Sequence, residues 1–172
     1  MLQVVRDLVA IFGVIAGLTY YVMTVRNQNK TRQAQLLMGL YEAYRSPEFR
    51  NQWSEILNQE WDDFDDFWEK YGRDTNPEAW VKWISVVSFF HGIGVLLRQG
   101  LVDIDLVEEL LVNIILISWV RMGPIVKGFR DNVVGHRFGG GGRSSRYDPY
   151  SGFDYLYNEI KKREQQHPEL RT

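Results

Sequence analysis

The sequence predicts an all-α protein: an N-terminal transmembrane helix followed by a cytoplasmic helical bundle of about five helices. Three observations carry the prediction. The chain opens with an apolar stretch from Leu8 to Val25 in which no residue is charged. Beyond it, apolar residues recur at the three- and four-residue spacing of one helix face. Two further apolar runs, Trp83–Leu97 and Leu110–Val120, must be sheathed by neighbouring helices in a water-facing protein. At 172 residues there is room for one compact domain plus an anchor.

The anchor is assigned to residues 1–25. At 1.5 Å per residue, the run LVAIFGVIAGLTYYVMTV is about long enough for a hydrocarbon core of roughly 30 Å, and Leu2, Val4 and Val5 extend it. It ends in Tyr20, Tyr21, Val22 and Met23 rather than the small-x-small site of a cleaved signal peptide, so the expectation is an anchor that is kept from Met1. Tyr20 and Tyr21 fall at the exit interface, where an aromatic body and a hydroxyl suit the headgroup boundary. Arg26, Lys30 and Arg32 follow directly and only Arg6 precedes, which by the positive-inside rule puts the larger part in the cytoplasm at the inner cell membrane. Gly13 and Gly17 have GxxxG spacing, a face by which a second helix can approach.

Residues 26–35, RNQNKTRQAQ to Gln35, contain no Gly or Pro, so the helix is expected to continue as a polar stalk of about 15 Å. A bundle is assigned to 36–134. Leu36, Leu37, Leu40, Tyr41 and Tyr44 resume a core-facing stripe. Ser46 and Pro47 then stop one helix and start the next, which carries Phe49, Trp53, Ile56 and Leu57. The segment EWDDFDDFWEKY, Glu60 to Tyr71, reads as a solvated acidic face over aromatic anchors. Asp62 with Asp66 and Asp65 with Glu69 stand one turn apart, but the glycine and the carbonyl ligands of a calcium loop are missing, as are the Glu-x-x-His pairs of a di-iron site.

Asn76 and Pro77 open the first central helix, which closes at Gly100. Asp103 or Asp105 caps the second, and Pro124 is expected to kink or break it. The uncharged runs of both are shorter than a bilayer needs, which assigns them to a soluble core. Residues 135–151, with four consecutive glycines, read as a loop, and 152–172 as an amphipathic helix docking through Phe153, Leu156, Tyr157 and Ile160.

Composition excludes several functions. With no cysteine there are no disulfides, thiol nucleophiles or thiolate metal sites. His91, His136 and His167 share no ligand spacing, and neither a Gly-x-Ser-x-Gly elbow nor a phosphate loop is present. No catalytic residue, cofactor or metal is therefore expected, and the chain reads as non-enzymatic. The net charge of −2 gives no case for nucleic acid. Charge is segregated all the same: Glu48–Glu78 holds ten acids against three bases, and Arg121–Arg146 holds six bases against Asp131. That predicts two oppositely charged faces, with Arg121, Lys127, Arg130, Arg137, Arg143 and Arg146 docking a partner or anionic lipid.

The pieces YEAYRSPEFR (Tyr41 to Arg50), HGIGVLLRQGLVDIDLVEELL (His91 to Leu111), Trp119 with Pro124 and Arg130, and FDYLYNEI (Phe153 to Ile160) resemble an uncharacterised family of small prokaryotic single-span helical proteins with a domain of unknown function. The resemblance implies an architecture, an anchor before a helical domain, and no activity. The chain departs from it at His91, where the family favours an acid, in the acidic-aromatic segment and in the tetraglycine. The functional expectation is an accessory or scaffolding subunit of a membrane protein complex, partnered by lipid and an integral-membrane protein. The alternatives are a homo-oligomeric sensor or signalling module paired through Gly13 and Gly17, and a metal-dependent membrane enzyme using the acids from Asp62 to Glu69.

Overall fold

The structure, a computed structural model, describes residues 2–134 and 150–166. Within them the protein is all-helical: α1 (Leu2–Arg45), α2 (Pro47–Asn58), α3 (Phe64–Tyr71), α4 (Pro77–Arg98), α5 (Ile104–Phe129), a π-helical turn (Arg130–Val134) and α6 (Ser151–Gln166).

The helix boundaries are set by local chemistry. The Ser46 hydroxyl accepts from the Phe49 N–H at 3.2 Å, with Pro47 in the first helical position where a missing N–H costs nothing. Asn76 does the same for α4, accepting from Ala79 N–H at 3.1 Å ahead of Pro77. Of the two candidate caps for α5 it is Asp103 that serves, accepting from Asp105 N–H at 2.8 Å. At the end of α4, Gly100 takes φ +67°, a conformation costly for any residue with a Cβ. Its N–H reaches the Leu97 carbonyl at 2.9 Å and the Leu101 N–H reaches Leu96 at 2.9 Å, the paired bonds of a Schellman cap.

Of the kink or break expected at Pro124, the break does not occur; α5 runs through it to Phe129. The ladder position that loses its bond is Val120, which is 74% exposed, so the freed carbonyl lies on the open side of the helix.

α4 and α5 form the centre and run antiparallel. Gly100 and its neighbours join the C-terminus of one to the N-terminus of the other, and Trp80 near the start of α4 lies 5.8 Å from Phe129 at the end of α5. α6 packs along both, with Phe153, Leu156 and Ile160 fully buried. Each of those side chains contributes roughly 1.5–3 kcal/mol of transfer free energy. α2 covers α4, and α3 lies on α5 and the start of α4. The α4–α6 crossing is close enough to need glycine on both sides: a Cβ on Gly94 would fall 1.8 Å from the Gly152 carbonyl oxygen. At the same crossing the Gly152 N–H donates to His91 Nδ1 at 3.0 Å. Inside, Trp53 Nε1 donates to the buried Ser118 hydroxyl at 2.8 Å, tying α2 to α5.

α1 is one unbroken helix of 44 residues, and only its last third touches the body. Leu37 is buried there, and the Gln33 side chain donates to the Gly100 carbonyl at 2.9 Å. At its other end Tyr44 meets Phe49 (6.1 Å), which in turn meets Phe89 (4.6 Å) in the middle of α4. These contacts fix its direction. Residues 33–45 run about 18 Å antiparallel to the second half of α4, so the free half of α1 projects beyond the α4–α5 turn.

Candidate functional site

Among the described residues three helices are long and apolar enough to cross a membrane: α1, α4, and α5 with its π turn as far as Asn132. This corrects the sequence argument that the second and third are too short. The uncharged runs are short, but the helices that contain them extend over 22 and 29 residues. Their surroundings separate them. The most apolar 18-residue window is 0% buried in α1, against 39% in α4 and 50% in α5.

The exposed half of α1 carries the residues predicted for the membrane boundary. Tyr20 and Tyr21 are 74% and 66% exposed, and Arg26, Lys30 and Arg32 follow on the same free stretch. A Cβ placed on Gly13 or Gly17 would meet nothing within 4 Å, so both present open backbone. Where that stretch reaches the body lies a zone that sequence reasoning missed, the α4–α5 turn. Leu101, 40% exposed, follows Gly100 there, and Leu36, 36% exposed, sits on α1 close to the Gln33 contact. Arg98 lies beside the turn, donating to the Ser151 carbonyl at 3.0 Å with its guanidinium 4.8 Å from the Tyr155 ring. Gly100 marked the turn in the sequence, but nothing local said which helix would press on it.

The predicted basic cluster is divided and lies elsewhere. Arg137, Arg143 and Arg146 fall outside the described residues, as do His136 and His167. Arg121, Lys127 and Arg130 occupy the far end of α5, with Arg121 about 25 Å along the helix from Ile104. Arg121 lies over the Trp61 ring at 3.8 Å, and Lys127 is 5.8 Å from the Trp119 ring. Arg130 pairs with Asp154 at 3.4 Å.

The acids of the Glu60–Tyr71 segment lie at the same pole. α3 packs on α5 through its aromatic side, Phe64 lying against Gly128, so the two charged regions are neighbours and not opposite faces. Cation–ring attraction and aromatic burial hold them together. Phe67 is fully buried between Trp61 and Trp83 (5.1 and 5.5 Å), while Asp65 and Glu69 face solvent.

The carboxylates of this segment are used in folding. Asp63 caps α3 by accepting from Asp66 N–H at 2.9 Å. Asp66 accepts from Lys70 at 2.8 Å and from the Asp62 N–H at 3.0 Å. The Lys70 hydrogen bond, first, and the Asp62 N–H hold the Asp66 carboxyl below its ordinary range, and the same ion pair raises the Lys70 ammonium above its own. Among the described residues no three His, Asp or Glu side chains converge on a point that could hold a metal ion.

A family model matches residues 8–159. The chain belongs to DUF4760, a domain of unknown function. The DUF4760 match starts at Leu8, where the uncharged run starts, and ends inside α6, so the family's unit takes in the projecting helix together with the body. This meets the expectation of an uncharacterised family with a domain of unknown function. No curated protein and no solved structure matches.

Proposed function

We propose that this DUF4760 chain is a non-enzymatic accessory or scaffolding subunit of a membrane protein complex. In this reading α1 crosses the inner membrane once, and the body beyond it is a cytoplasmic docking module. One observation carries the proposal: of three helices with the composition of a membrane span, only the first half of α1 stands wholly outside the protein core.

Other features support it. α4 and α5 are wrapped by α2, α3 and α6, whose outer faces carry charge, and a membrane would have to strip those helices away to receive the centre. Arg26, Lys30 and Arg32 favour a cytoplasmic body. The body also offers uncharged surface for a partner, including Ile117 and Val120 on α5 (50% and 74% exposed) and Val81 on α4 (64%). The titratable groups whose partners are described act as caps and ion pairs, which suits a docking role better than catalysis. Purification of the full chain in mild detergent is expected to recover a stoichiometric integral-membrane partner. A lone monodisperse monomer in every detergent would contradict the reading.

The open backbone at Gly13 and Gly17 favours a second reading, self-association through the span. It predicts a homo-oligomer cross-linked in native membranes that disappears in the Gly13→Leu, Gly17→Leu double variant.

A further inference from the structure

We propose that the α4–α5 turn is a lipid-contact surface, with Leu101 at the outer edge of an anionic headgroup layer and the body held against the bilayer instead of swinging on its stalk. The inference rests on the reading that α1 spans the membrane, and deepens it.

Geometry brings the turn to the membrane. α1 has no break between its apolar half and the body, so the stalk acts as a rod and not a flexible linker. The uncharged run ends at Val25, and Gln33, eight residues on, already holds the Gly100 carbonyl at 2.9 Å. The turn therefore stands about 12 Å along the helix from the hydrocarbon edge. The headgroup layer fills roughly 5–7 Å of that distance. The remainder is within reach of an arginine side chain, and an ordinary helix tilt of about 20° toward the body closes it further.

The chemistry of the surface fits that occupant. Leu101 and Leu36 are large apolar side chains left partly open at the end of the body nearest the span. Arg26, Lys30 and Arg32 on the stalk and Arg98 beside the turn bring four cations to the same zone. Asp103 and the exposed Glu109 oppose them, and a single arginine, Arg163, engages both Asp105 and Glu108, the latter at 2.7 Å. Five cations, Arg163 included, stand against four acids, the excess lying on the stalk, and the surface is continuous with the membrane interface of α1, whereas Arg121, Lys127 and Arg130 lie at the opposite pole, out of reach of the bilayer. An apolar tip beside a cationic stalk is a composition that binds anionic bilayer surfaces.

Because the chain has no cysteine, single labels can be placed cleanly. Leu101→Cys, Val120→Cys and Ile15→Cys, each in the full-length protein, are given an environment-sensitive fluorophore and reconstituted in vesicles of phosphatidylcholine alone or with 30% phosphatidylglycerol. Quenching is read from a spin label attached to a lipid headgroup. The proposal expects at least threefold stronger quenching at position 101 than at 120, a further increase with phosphatidylglycerol, and loss of that increase in Arg32→Gln, Arg98→Gln. Equal quenching at 101 and 120 in both lipids, with the label at 15 shielded from aqueous iodide, would overturn it and leave the span intact. A label at 15 open to iodide would overturn the spanning reading, and this inference with it. Stronger quenching at 101 that is indifferent to phosphatidylglycerol would overturn the role of the cations.

Discussion

The first half of α1 and the central pair α4 and α5 are made of nearly the same material and have different surroundings. Each has the length and apolarity of a membrane span, yet one is bare and the other two are sheathed. The difference lies in what the rest of the chain supplies. α2, α3 and α6 are amphipathic and bring Ile56, Phe67, Phe153, Leu156 and Ile160 to the central helices, and nothing among the described residues does this for the stretch before Gln33. A hydrophobic helix declares that it must leave water; the destination depends on whether the same chain provides cover.

A charge placed in each region sharpens that contrast most. Val87 is fully buried in α4, and Val87→Lys puts an unpaired ammonium in the core, so the body should lose more than about 4 kcal/mol and fail to show a cooperative thermal transition. Ile15→Lys with Leu18→Lys should leave that transition in place. It should instead weaken membrane partition by roughly 3 kcal/mol per substitution, read as the share of protein that sediments with membranes.

Glycines give the next test. Gly94→Ala drives a methyl against the Gly152 carbonyl and should cost about 2–3 kcal/mol of body stability by chemical denaturation. Gly13→Ala and Gly17→Ala, with open space around them, should cost the body nothing measurable.

Smaller effects follow from single hydrogen bonds. Trp53→Phe leaves the buried Ser118 hydroxyl without its donor, and a loss of about 1–2 kcal/mol is expected. Asp66→Asn should have the least effect, confined to α3. With its carboxyl held below the ordinary 3.8, Asp66 stabilises the fold above that value and ceases to as pH falls through the lower folded value. The Lys70 ammonium, raised above 10.5, acts in the opposite sense: its contribution is complete below 10.5 and disappears as pH climbs past the raised value. Amide exchange across Phe64–Tyr71 should therefore quicken at both extremes, and the Asp66→Asn variant should lose the acid-side change.

Local chemistry was the legible part of the fold. Ser46, Asn76, Asp103 and Gly100 act within four residues of themselves, so sequence alone places the ends of α2, α4 and α5. Contacts between distant segments were not legible. The Glu60–Tyr71 segment and the α5 bases have opposite charge, which reads as two faces. Trp61 beneath Arg121 and Phe64 against Gly128 instead bring them to one pole, because ring burial outweighs exposed charge in fixing where α3 lies. The Gln33–Gly100 bond spans 67 positions in the chain and has no sequence signal, yet it decides which end of the body faces the span. Whether Pro124 would break its helix was not legible for a similar reason: its cost depends on whether Val120 is covered, and that is a property of the packing.

Thiol accessibility in sealed membranes tests the division between one bare span and two sheathed helices most directly. Ile15→Cys, Val81→Cys and Ile117→Cys report α1, α4 and α5 in a chain with no other thiol. In vesicles reconstituted from the purified chain alone, with the body outward, a membrane-impermeant maleimide should modify positions 81 and 117 and spare 15. Protection of 81 and 117 together with 15, in protein shown to be folded, would put the central helices in the bilayer and refute the single span.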